Sequence, residues 1–207
     1  MAFNAQSVFA DALSRALPIS SEVKKAFETV DRSAFIPQGL EKMTYELNAL
    51  PISANQWISS PLTVAKMTEA LQPQGADNVL EIGCGSGYQA AILSVLVRRV
   101  FSVERIEKLL REANERFRRL RLTNISTRLD DAGEGWSSFA PYDRVLISCE
   151  CAAVPRALTD QLAAGGILVA PRGGQIVRMS KSASGMLRET TLGSASFVPM
   201  LSGIERM

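Results

Sequence analysis

The fold of this chain is decided by the stretch Asn78-Val-Leu-Glu-Ile-Gly-Cys-Gly-Ser-Gly-Tyr-Gln-Ala-Ala91. Its first residues predict a short buried strand, its glycines a tight turn, and its last residues the start of a helix. Twenty-one residues after Gly83, a second apolar segment ends in an acid, Glu104. Glycines let backbone N–H groups approach a ligand closely, and an acid at the end of the next strand can accept both hydroxyls of a ribose. The two segments together predict a nucleoside-binding site.

The spacing of the glycines favours one kind of nucleoside cofactor. A dinucleotide-binding loop has the pattern G-x-G-x-x-G, with the helix N-terminus directed at a pyrophosphate. Here Gly83, Gly85 and Gly87 have the spacing G-x-G-x-G, and Glu81 stands two residues before the first of them. A carboxylate at that position suits a sulfonium with an amino group better than a pyrophosphate. We therefore predict S-adenosylmethionine, with a nicotinamide or flavin cofactor and a turn without any ligand as the alternatives.

Composition and charge limit the class of protein. A chain of 207 residues, 46% of them hydrophobic, can bury one sizeable core, so we expect a single domain over 1–207. Within it we distinguish N-terminal helices and a substrate loop (1–60), a cofactor-binding core (61–171) and C-terminal strands (172–207). The net charge of +2 indicates neither nucleic acid nor a membrane as partner. The start of the chain does not resemble a signal peptide, and we expect a cytoplasmic protein.

The chain contains no histidine, which excludes several kinds of catalysis. Ser-His-Asp and Cys-His sites, histidine-bound zinc and a histidine general base are all ruled out. Methyl transfer to a carboxylate fits this composition, because the acceptor is already ionised at pH 7 and needs no base. The cysteines Cys84, Cys149 and Cys151 are expected to be reduced and packed. The alternative is a metal site at Cys149-Glu150-Cys151, whose ligand set would be incomplete without histidine.

The rest of the chain alternates between helical and strand patterns. We predict helices over 5–17, 20–30, from Ser60-Pro61 to about 71, 87–97, 105–121 and 154–163, and strands over 78–83, 99–104, 124–129, 142–148, 166–171, 174–181 and 186–193. Such alternation indicates an α/β fold with a doubly wound, mostly parallel sheet, and the last two strands form an antiparallel hairpin that turns at Ser184-Gly185. The glycine loop, Glu104, Asp131 and the segment 148–151 all fall at carboxyl ends of strands, where ligands bind in such folds.

Two further segments have particular patterns. Residues 38–59 read as a long loop, and loops of that length in compact domains are usually functional. The loop ends at Ser60-Pro61, where Ser60 is the predicted cap of a helix and Pro61 its first residue. The predicted buried face of this helix is Val64, Met67, Thr68 and Leu71. Lys66 and Glu69 lie on its solvated face. The basic run 116–121 is interpreted as a solvated helix face with favourable charges near the helix C-terminus.

These motifs resemble those of the protein-L-isoaspartate (D-aspartate) O-methyltransferase family, over about residues 32–200. The similar segments are Arg32-Ser-Ala-Phe-Ile-Pro37, Leu50-Pro-Ile52, Gln56-Trp-Ile-Ser-Ser-Pro61, Val79–Ala91, Ser102-Val-Glu-Arg-Ile106, Asp131 with Glu134-Gly-Trp136, Gly165-Gly166 with Pro171, and Phe197-Val-Pro199. Methyltransferases in general share only the glycine loop, so Ser102–Arg105 together with the C-terminal Phe-Val-Pro carries most of the specificity.

The resemblance implies an S-adenosylmethionine-dependent enzyme with a Rossmann-like fold that methylates L-isoaspartyl carboxylates in damaged proteins and releases S-adenosylhomocysteine. By the same resemblance, Glu104 holds the ribose diol, Asp131 the adenine amino group, and Ser59 orients the acceptor carboxylate. The implied cofactor-binding residues are Glu81, Gly83, Cys84, Gly85, Ser86, Gly87, Glu104, Arg105, Asp131 and Ala132. The implied substrate-binding residues are Asn55, Trp57, Ile58 and Ser59, with no metal and with a monomer or weak homo-oligomer expected. For Ser59, capping of the helix at Pro61 is the alternative role.

The chain departs from the family pattern near the expected acceptor site. Ser53 and Asn55 replace glycines, Trp57 replaces a threonine, and Glu150 follows the fourth core strand, where its charge could weaken binding of an anionic acceptor. Ala132 replaces a glycine in the adenine motif. Two alternative functions therefore accompany isoaspartyl methylation: methylation of a different carboxylate in a peptide or protein, and a cofactor-binding module with little or no catalysis.

Overall fold

The structure, a computed structural model, describes residues 5–206. Its helices are α1 (Ala5–Ala16), α2 (Ser21–Thr29), α3 (Pro61–Leu71), α4 (Tyr88–Leu96), α5 (Glu107–Leu120) and α6 (Arg156–Asp160). Its strands are β1 (Leu50–Pro51), β2 (Trp57–Ile58), β3 (Asn78–Ile82), β4 (Arg99–Glu104), β5 (Ile125–Leu129), β6 (Tyr142–Ile147), β7 (Leu162–Arg172), β8 (Gln175–Lys181) and β9 (Leu187–Ser194). Short 3₁₀ turns lie at Arg32–Phe35, Glu41–Met43, Ala132–Glu134 and Ser137–Phe139. None of the helices in this part of the chain is long and apolar enough to span a bilayer.

Seven strands form the main sheet, in the order β5-β4-β3-β6-β7-β8-β9. Strands β3 to β7 pair in parallel, whereas β7, β8 and β9 pair antiparallel. The chain builds outward from β3 through β4 to β5 and then returns to place β6 on the other side of β3. This reversal creates a crevice at the carboxyl end of β3, the usual ligand site of such sheets. The predicted mostly parallel α/β fold with a C-terminal hairpin is confirmed.

The two faces of the sheet are covered differently. Alternate residues of a strand point to opposite faces, so Val79 packs into one apolar cluster and Leu80 into another. The first cluster includes buried side chains from α1 to α5. The second is closed mainly by aromatic contacts, where Phe101 meets Trp136, Phe139 and Tyr142 at ring distances of 4.5–5.7 Å, together with Leu158 of α6.

The predicted helix over 154–163 is wrong in extent. Only Arg156–Asp160 is helical, and β7 begins at Leu162 rather than at residue 166. The register of β7 on β6 shifts between Tyr142 and Arg144, because the pairs Tyr142–Leu162 and Arg144–Ile167 leave extra residues on β7. Gly165 sits in this bulge with φ +78°, a conformation that glycine adopts without strain.

The predicted long loop over 38–59 contains a short hairpin. Strands β1 and β2 pair antiparallel, and Ile52 N donates to the carbonyl of Gln56 at 2.8 Å. At its tip Ala54 and Asn55 have φ of +57° and +54°, as in a type I′ turn, although neither is glycine. The substrate loop expected from the sequence is therefore a defined hairpin.

The predicted cap of α3 is present, and α2 has a serine cap as well, but one residue of α3 has a different role. Ser20 caps α2 through Val23 N, and Ser60 caps α3 through Thr63 N at 3.1 Å. Glu69 is not merely solvated, since its carboxylate accepts hydrogen bonds from the backbone and hydroxyl of Ser20 at 2.7 and 2.9 Å. This contact joins α3 to the start of α2.

Candidate active site

A cavity with about 910 Å³ of empty space, part of it open to solvent, lies at the carboxyl ends of β3, β4 and β6. Its walls include the glycine loop after β3, the hairpin β1–β2 with the start of α3, the segments that follow β4, β5 and β6, and the C-terminal tail. Its lining includes Gln56, Trp57, Ile58, Ser59, Thr63, Gly83, Cys84, Gly85, Ser86, Tyr88, Gln89, Glu104, Arg105, Ala132, Ser148, Cys149 and residues 197–201. The cavity thus brings together most of the residues that the sequence assigned to the cofactor and to the acceptor.

The glycine loop adopts backbone conformations that other residues avoid. Gly83, Gly85 and Gly87 have φ of +89°, +54° and +87°. A Cβ at Gly87 would lie 2.7 Å from the ring of Phe117, so both its conformation and its space require glycine. Gly85 faces open space instead, with only the Ile52 side chain within 4 Å of a Cβ. The loop is therefore held rigidly at one end and left accessible toward the cavity.

Glu104, at the end of β4, is fixed on the cavity wall by backbone donors. One carboxylate oxygen accepts from Gly85 N at 2.8 Å, and the other accepts from Arg105 N and Ile106 N at 2.9 and 3.0 Å. Desolvation raises the pKa of this carboxyl group, although the three N–H groups oppose that shift. A carboxylate has about four acceptor positions, so capacity remains for a ligand hydroxyl.

Glu81 lies behind the glycine loop rather than on the cavity wall. Its side chain is fully buried and accepts a hydrogen bond from the Ser102 hydroxyl, while its second oxygen has no partner within residues 5–206. Burial raises its pKa to about 8, with the Ser102 bond opposing this and the Glu104 charge adding to it. Glu81 does not line the cavity, and its contact with a cationic ligand remains a prediction.

The C-terminal tail, residues 195–206, closes one side of the cavity. Met200 N donates to the carbonyl of Glu150, and Glu205 exchanges backbone hydrogen bonds with Arg105 and Glu107. Arg105 also donates to the carbonyl of Gly203 at 3.0 Å. The tail thereby crosses from the end of β6 to the start of α5.

Asp131 holds this tail instead of lining the cavity. One oxygen of its carboxylate caps the turn at Gly133 N, at 2.9 Å, and the other accepts from Gly203 N. These two N–H groups lower the pKa of Asp131. Its neighbour Ala132 does reach the cavity wall. The contact of Asp131 with an adenine remains a prediction.

Ser59 is available for a ligand because its neighbour performs the capping. Ser60 accepts from Thr63 N, so the capping role considered for Ser59 belongs to Ser60. Ser59 lines both the cavity and an adjoining groove formed with Trp57, Ser148 and Phe197. Within residues 5–206 its hydroxyl makes no hydrogen bond, while its carbonyl accepts from Arg32 at 3.1 Å.

The departures from the family pattern occupy different positions around this groove. Trp57 is 54% exposed at the mouth, and Asn55 lies exposed at the hairpin tip, whereas Ile58 is buried. Ser53 donates to Glu112 of α5 at 2.8 Å. Glu150 points away from the cavity, since its carboxylate accepts from Gly174 N at 3.0 Å. The concern that Glu150 would repel an anionic acceptor is therefore not supported by its placement.

The thiols near the cavity are in their protonated form. Burial raises the pKa of Cys149 to about 12 and also raises those of Cys84 and Cys151. Cys151 donates its S–H to the carbonyl of Pro171 at 3.1 Å. Across residues 5–206, no three histidine, cysteine or carboxylate side chains converge in a way that could bind a metal ion.

Several residues at or near the site were not assigned to it from the sequence. Gln56 and Gln89 belong to segments that resemble the family, but only the structure shows that both line the cavity. Arg116, from the run interpreted as solvated, pairs with Glu112 and donates to the carbonyl of Ser86 in the glycine loop, both at 3.4 Å. Arg32 belongs to a recognised motif, but only the structure shows its burial beneath Ser59.

The sheet order, the glycine loop and the acid that closes β4 define the class as a Rossmann-like methyltransferase. Solved structures support this fold. One titled protein-L-isoaspartate O-methyltransferase has a TM-score of 0.88 at 24% identity and covers 97% of this chain and 67% of that one. A second solved structure is a putative protein-L-isoaspartate O-methyltransferase from Plasmodium falciparum in complex with S-adenosyl-L-homocysteine. It has a TM-score of 0.82 at 19% identity and covers 96% of this chain and 99% of that one.

The sequence comparisons identify the family. Residues 4–205 match the model of the family Protein-L-isoaspartate(D-aspartate) O-methyltransferase. A protein-L-isoaspartate O-methyltransferase of Helicobacter pylori strain G27 is 48% identical over 188 residues, covering 89% of this chain and 90% of the relative. A protein-L-isoaspartate O-methyltransferase of Dictyoglomus thermophilum is 44% identical, and the match covers 87% of this chain and 84% of the relative. The chain belongs to the protein-L-isoaspartate (D-aspartate) O-methyltransferase family.

Proposed function

We propose that this protein transfers the methyl group of S-adenosylmethionine to the carboxylate of L-isoaspartyl residues in damaged proteins, the step that starts their repair. Family membership supports this reaction. The structural observation that carries it is a single cavity lined by the glycine loop and Glu104 on one side and by Ser59 on the other. A cofactor and an acceptor bound there would face each other without intervening backbone.

The cofactor side of the cavity fits a nucleoside with a short polar chain. Gly83, Cys84, Gly85 and Ser86 line the cavity and present backbone to the ligand, and Gly87 sets the conformation of the loop behind them. Glu104 offers its free acceptor positions to the ribose hydroxyls. Arg105 and Ala132 line the adenine side, with Asp131 next to them. We assign Glu81 to support of the loop through Ser102, in addition to the cationic contact that the motif implies.

When bound, S-adenosylmethionine supplies a methyl carbon on a positively charged sulfur, and transfer to a carboxylate oxygen leaves neutral S-adenosylhomocysteine. The protein needs to position the acceptor and exclude water, because an ionised carboxylate requires no base. Ser59 donates its free hydroxyl to the acceptor carboxylate and thereby orients one oxygen toward the methyl group. The tail and the buried Ile58 restrict access of water to this point.

The exposed residues of the hairpin contact the rest of the substrate chain. Trp57 offers an apolar face beside the groove, and Asn55 offers an amide at the tip. Competition between isoaspartyl peptides with and without an apolar flanking side chain tests this contact. Equal competition by both peptides would remove Trp57 from substrate binding.

The proposed reaction is tested by methyl transfer from labelled S-adenosylmethionine. We expect base-labile label on an isoaspartyl peptide and none on the matched peptide with normal aspartate. Equal labelling of both peptides, or no labelling when calorimetry shows that S-adenosylhomocysteine binds, would refute the substrate assignment.

The role of Ser59 is tested by Ser59→Ala. Loss of one hydrogen bond to a charged acceptor corresponds to about 1.5–3 kcal/mol, so kcat/KM for the isoaspartyl peptide should fall by roughly ten- to a hundredfold. The affinity for S-adenosylhomocysteine and the unfolding free energy should not change, since Ser60 provides the cap. A wild-type rate in this variant would exclude Ser59 from the reaction.

We also propose that the chain acts as one methyltransferase domain over 1–207, in the cytoplasm, as a monomer or weak homo-oligomer without a nucleic-acid partner. The net charge of +2 supports the last point. Light scattering at micromolar concentration tests the oligomeric state, and a stable dimer there would contradict it.

A further inference from the structure

Arg32 is a completely buried cation without a buried anion. Its side chain is 0% exposed, and no carboxylate within residues 5–206 lies at salt-bridge distance from it. Nε donates to the carbonyl of Thr44 and Nη2 to that of Ser59, each at 3.1 Å, while Nη1 makes no hydrogen bond to any of the described residues. Burial of a charge is costly, and an apolar side chain of similar volume usually stabilises a core as well or better. The position therefore calls for a reason beyond stability.

The two hydrogen bonds of Arg32 connect two segments that contain little regular secondary structure. Thr44 belongs to the irregular stretch before β1, and Ser59 follows β2, which is only two residues long. The hairpin β1–β2 also turns through Ala54 and Asn55 in left-handed conformations. A short hairpin of this kind has little intrinsic stability. The planar guanidinium, which presents several donors in a rigid fork, fixes the backbone at Ser59 from beneath.

The same guanidinium contacts the helix that follows the glycine loop. Its carbon lies 4.8 Å from the ring centroid of Tyr88, the first residue of α4 after Gly87. The Tyr88 ring is held in turn by Phe35 and Phe27, at ring distances of 5.5 and 6.3 Å, and it lines the cavity. Arg32 thus touches both sides of the cavity, the acceptor loop through Ser59 and the cofactor loop through Tyr88.

We infer that Arg32 is a positioning residue for methyl transfer, which sets the Ser59 hydroxyl at a fixed place relative to the glycine loop. This inference deepens the proposed function and rests on it. A displacement of about 1 Å in a reacting group can cost roughly a hundredfold in rate, so a residue that fixes Ser59 affects turnover without touching substrate. Substitution of Arg32 should therefore lower turnover only when the Ser59 hydroxyl is present.

The kinetic test is a double-mutant cycle between Arg32 and Ser59. In the wild-type background we expect Arg32→Lys to lower kcat by about tenfold and Arg32→Met by about a hundredfold, because lysine keeps the charge but lacks the fork. In the Ser59→Ala background neither change should lower kcat further. The affinity for S-adenosylhomocysteine should stay within about threefold of wild type. Equal losses of kcat in both backgrounds would indicate a general structural role and overturn the inference.

The matched control is Arg119→Met. Arg119 also donates to a backbone carbonyl of the N-terminal region, that of Ala34 at 3.2 Å, but it lies outside the cavity. Its loss should leave kcat and KM unchanged. If Arg32→Met fails to fold, the lysine variant alone completes the cycle.

A measurement independent of activity separates this inference from the proposed function. Hydrogen exchange of the segment 50–60 should be faster in Arg32→Lys than in wild type or Arg119→Met, with exchange in β3 unchanged. If wild type methylates no isoaspartyl peptide, the proposed function fails while faster exchange still supports the role of Arg32. Unchanged exchange over 50–60 would overturn that role whatever the acceptor.

Discussion

The two sides of the cavity are built by different means. On the cofactor side, glycines occupy every left-handed position of the loop and three backbone N–H groups fix the Glu104 carboxylate. On the acceptor side, a two-residue hairpin turns through Ala54 and Asn55, which adopt left-handed conformations at a cost. The conformation of the cofactor side therefore follows mainly from local sequence, whereas the conformation of the acceptor side depends on contacts with distant segments such as Arg32 and α5.

The largest expected effect is at Gly87, on the cofactor side. Gly87→Ala combines left-handed strain with a Cβ 2.7 Å from the Phe117 ring, and should lower the unfolding free energy by about 2–4 kcal/mol. The matched control is Gly75→Ala, with φ +75° and nothing within 4 Å of its Cβ, which carries only the strain of about 1–2 kcal/mol. Urea unfolding measures both. Equal losses of unfolding free energy in the two variants would show that the Phe117 ring moves aside to accommodate the new Cβ. The cofactor side would then be less rigid than its hydrogen bonds suggest.

Glu104→Ala should weaken binding of S-adenosylhomocysteine by about 1.5–3 kcal/mol, because it removes a charged acceptor that also holds Gly85. Calorimetry gives the affinity directly. Glu115→Ala, on the exposed face of α5, serves as the control and should bind like wild type. Unaltered affinity in Glu104→Ala would mean that the cofactor side does not depend on this carboxylate.

Glu81 predicts a dependence of stability on pH. Burial raises its pKa from an ordinary value of 4.5 to about 8 in the folded protein, so the folded state retains a proton that the unfolded state loses. The contribution of Glu81 to the free energy of unfolding should be fully present below pH 4.5. It should be lost as the pH rises toward 8, by up to about 1.4 kcal/mol per pH unit. Glu81→Gln should remove this part of the slope in urea unfolding between pH 5 and 8. Parallel pH profiles for the two proteins would contradict a protonated Glu81.

The smallest expected effect is a gain on the acceptor side. Ala54→Gly should raise the unfolding free energy by about 0.5–1 kcal/mol, since glycine adopts φ +57° without strain. Ala12→Gly, within α1, should instead lower it by about 1 kcal/mol. Thermal unfolding of the two variants checks both signs. A loss of stability in Ala54→Gly would show that the hairpin is supported so firmly that its turn carries no strain.

This difference also explains what could be predicted from the sequence. The strand, glycine turn and helix over 78–91 were predictable because their conformation follows from neighbouring residues. Ser60 was correctly predicted as the cap of α3, but a capping role for Ser59 stayed open, because capping is decided by which hydroxyl reaches Thr63 N. Helix α6 was predicted to extend to residue 163 because the residues over 161–163 suit a helix as well as a strand, and only pairing with β6 decides.

The positions of acidic side chains were the least predictable part of the site. Glu81 was predicted to contact a cationic ligand and Glu150 to weaken binding of an anionic acceptor, whereas the first is buried against Ser102 and the second accepts a hydrogen bond from Gly174 N. The direction of a side chain at a strand end depends on tertiary contacts that a single sequence does not contain. The cofactor motif thus specified the fold more reliably than it specified the role of each acid.

The course of the C-terminal tail has a practical consequence for work with this protein. Glu205 exchanges backbone hydrogen bonds with Arg105 and Glu107, and Arg105 lines the cavity. Substitutions within 203–206 would therefore alter the cavity through Arg105, although none of these four residues lines it. Kinetic comparisons among variants are best made with this segment unchanged.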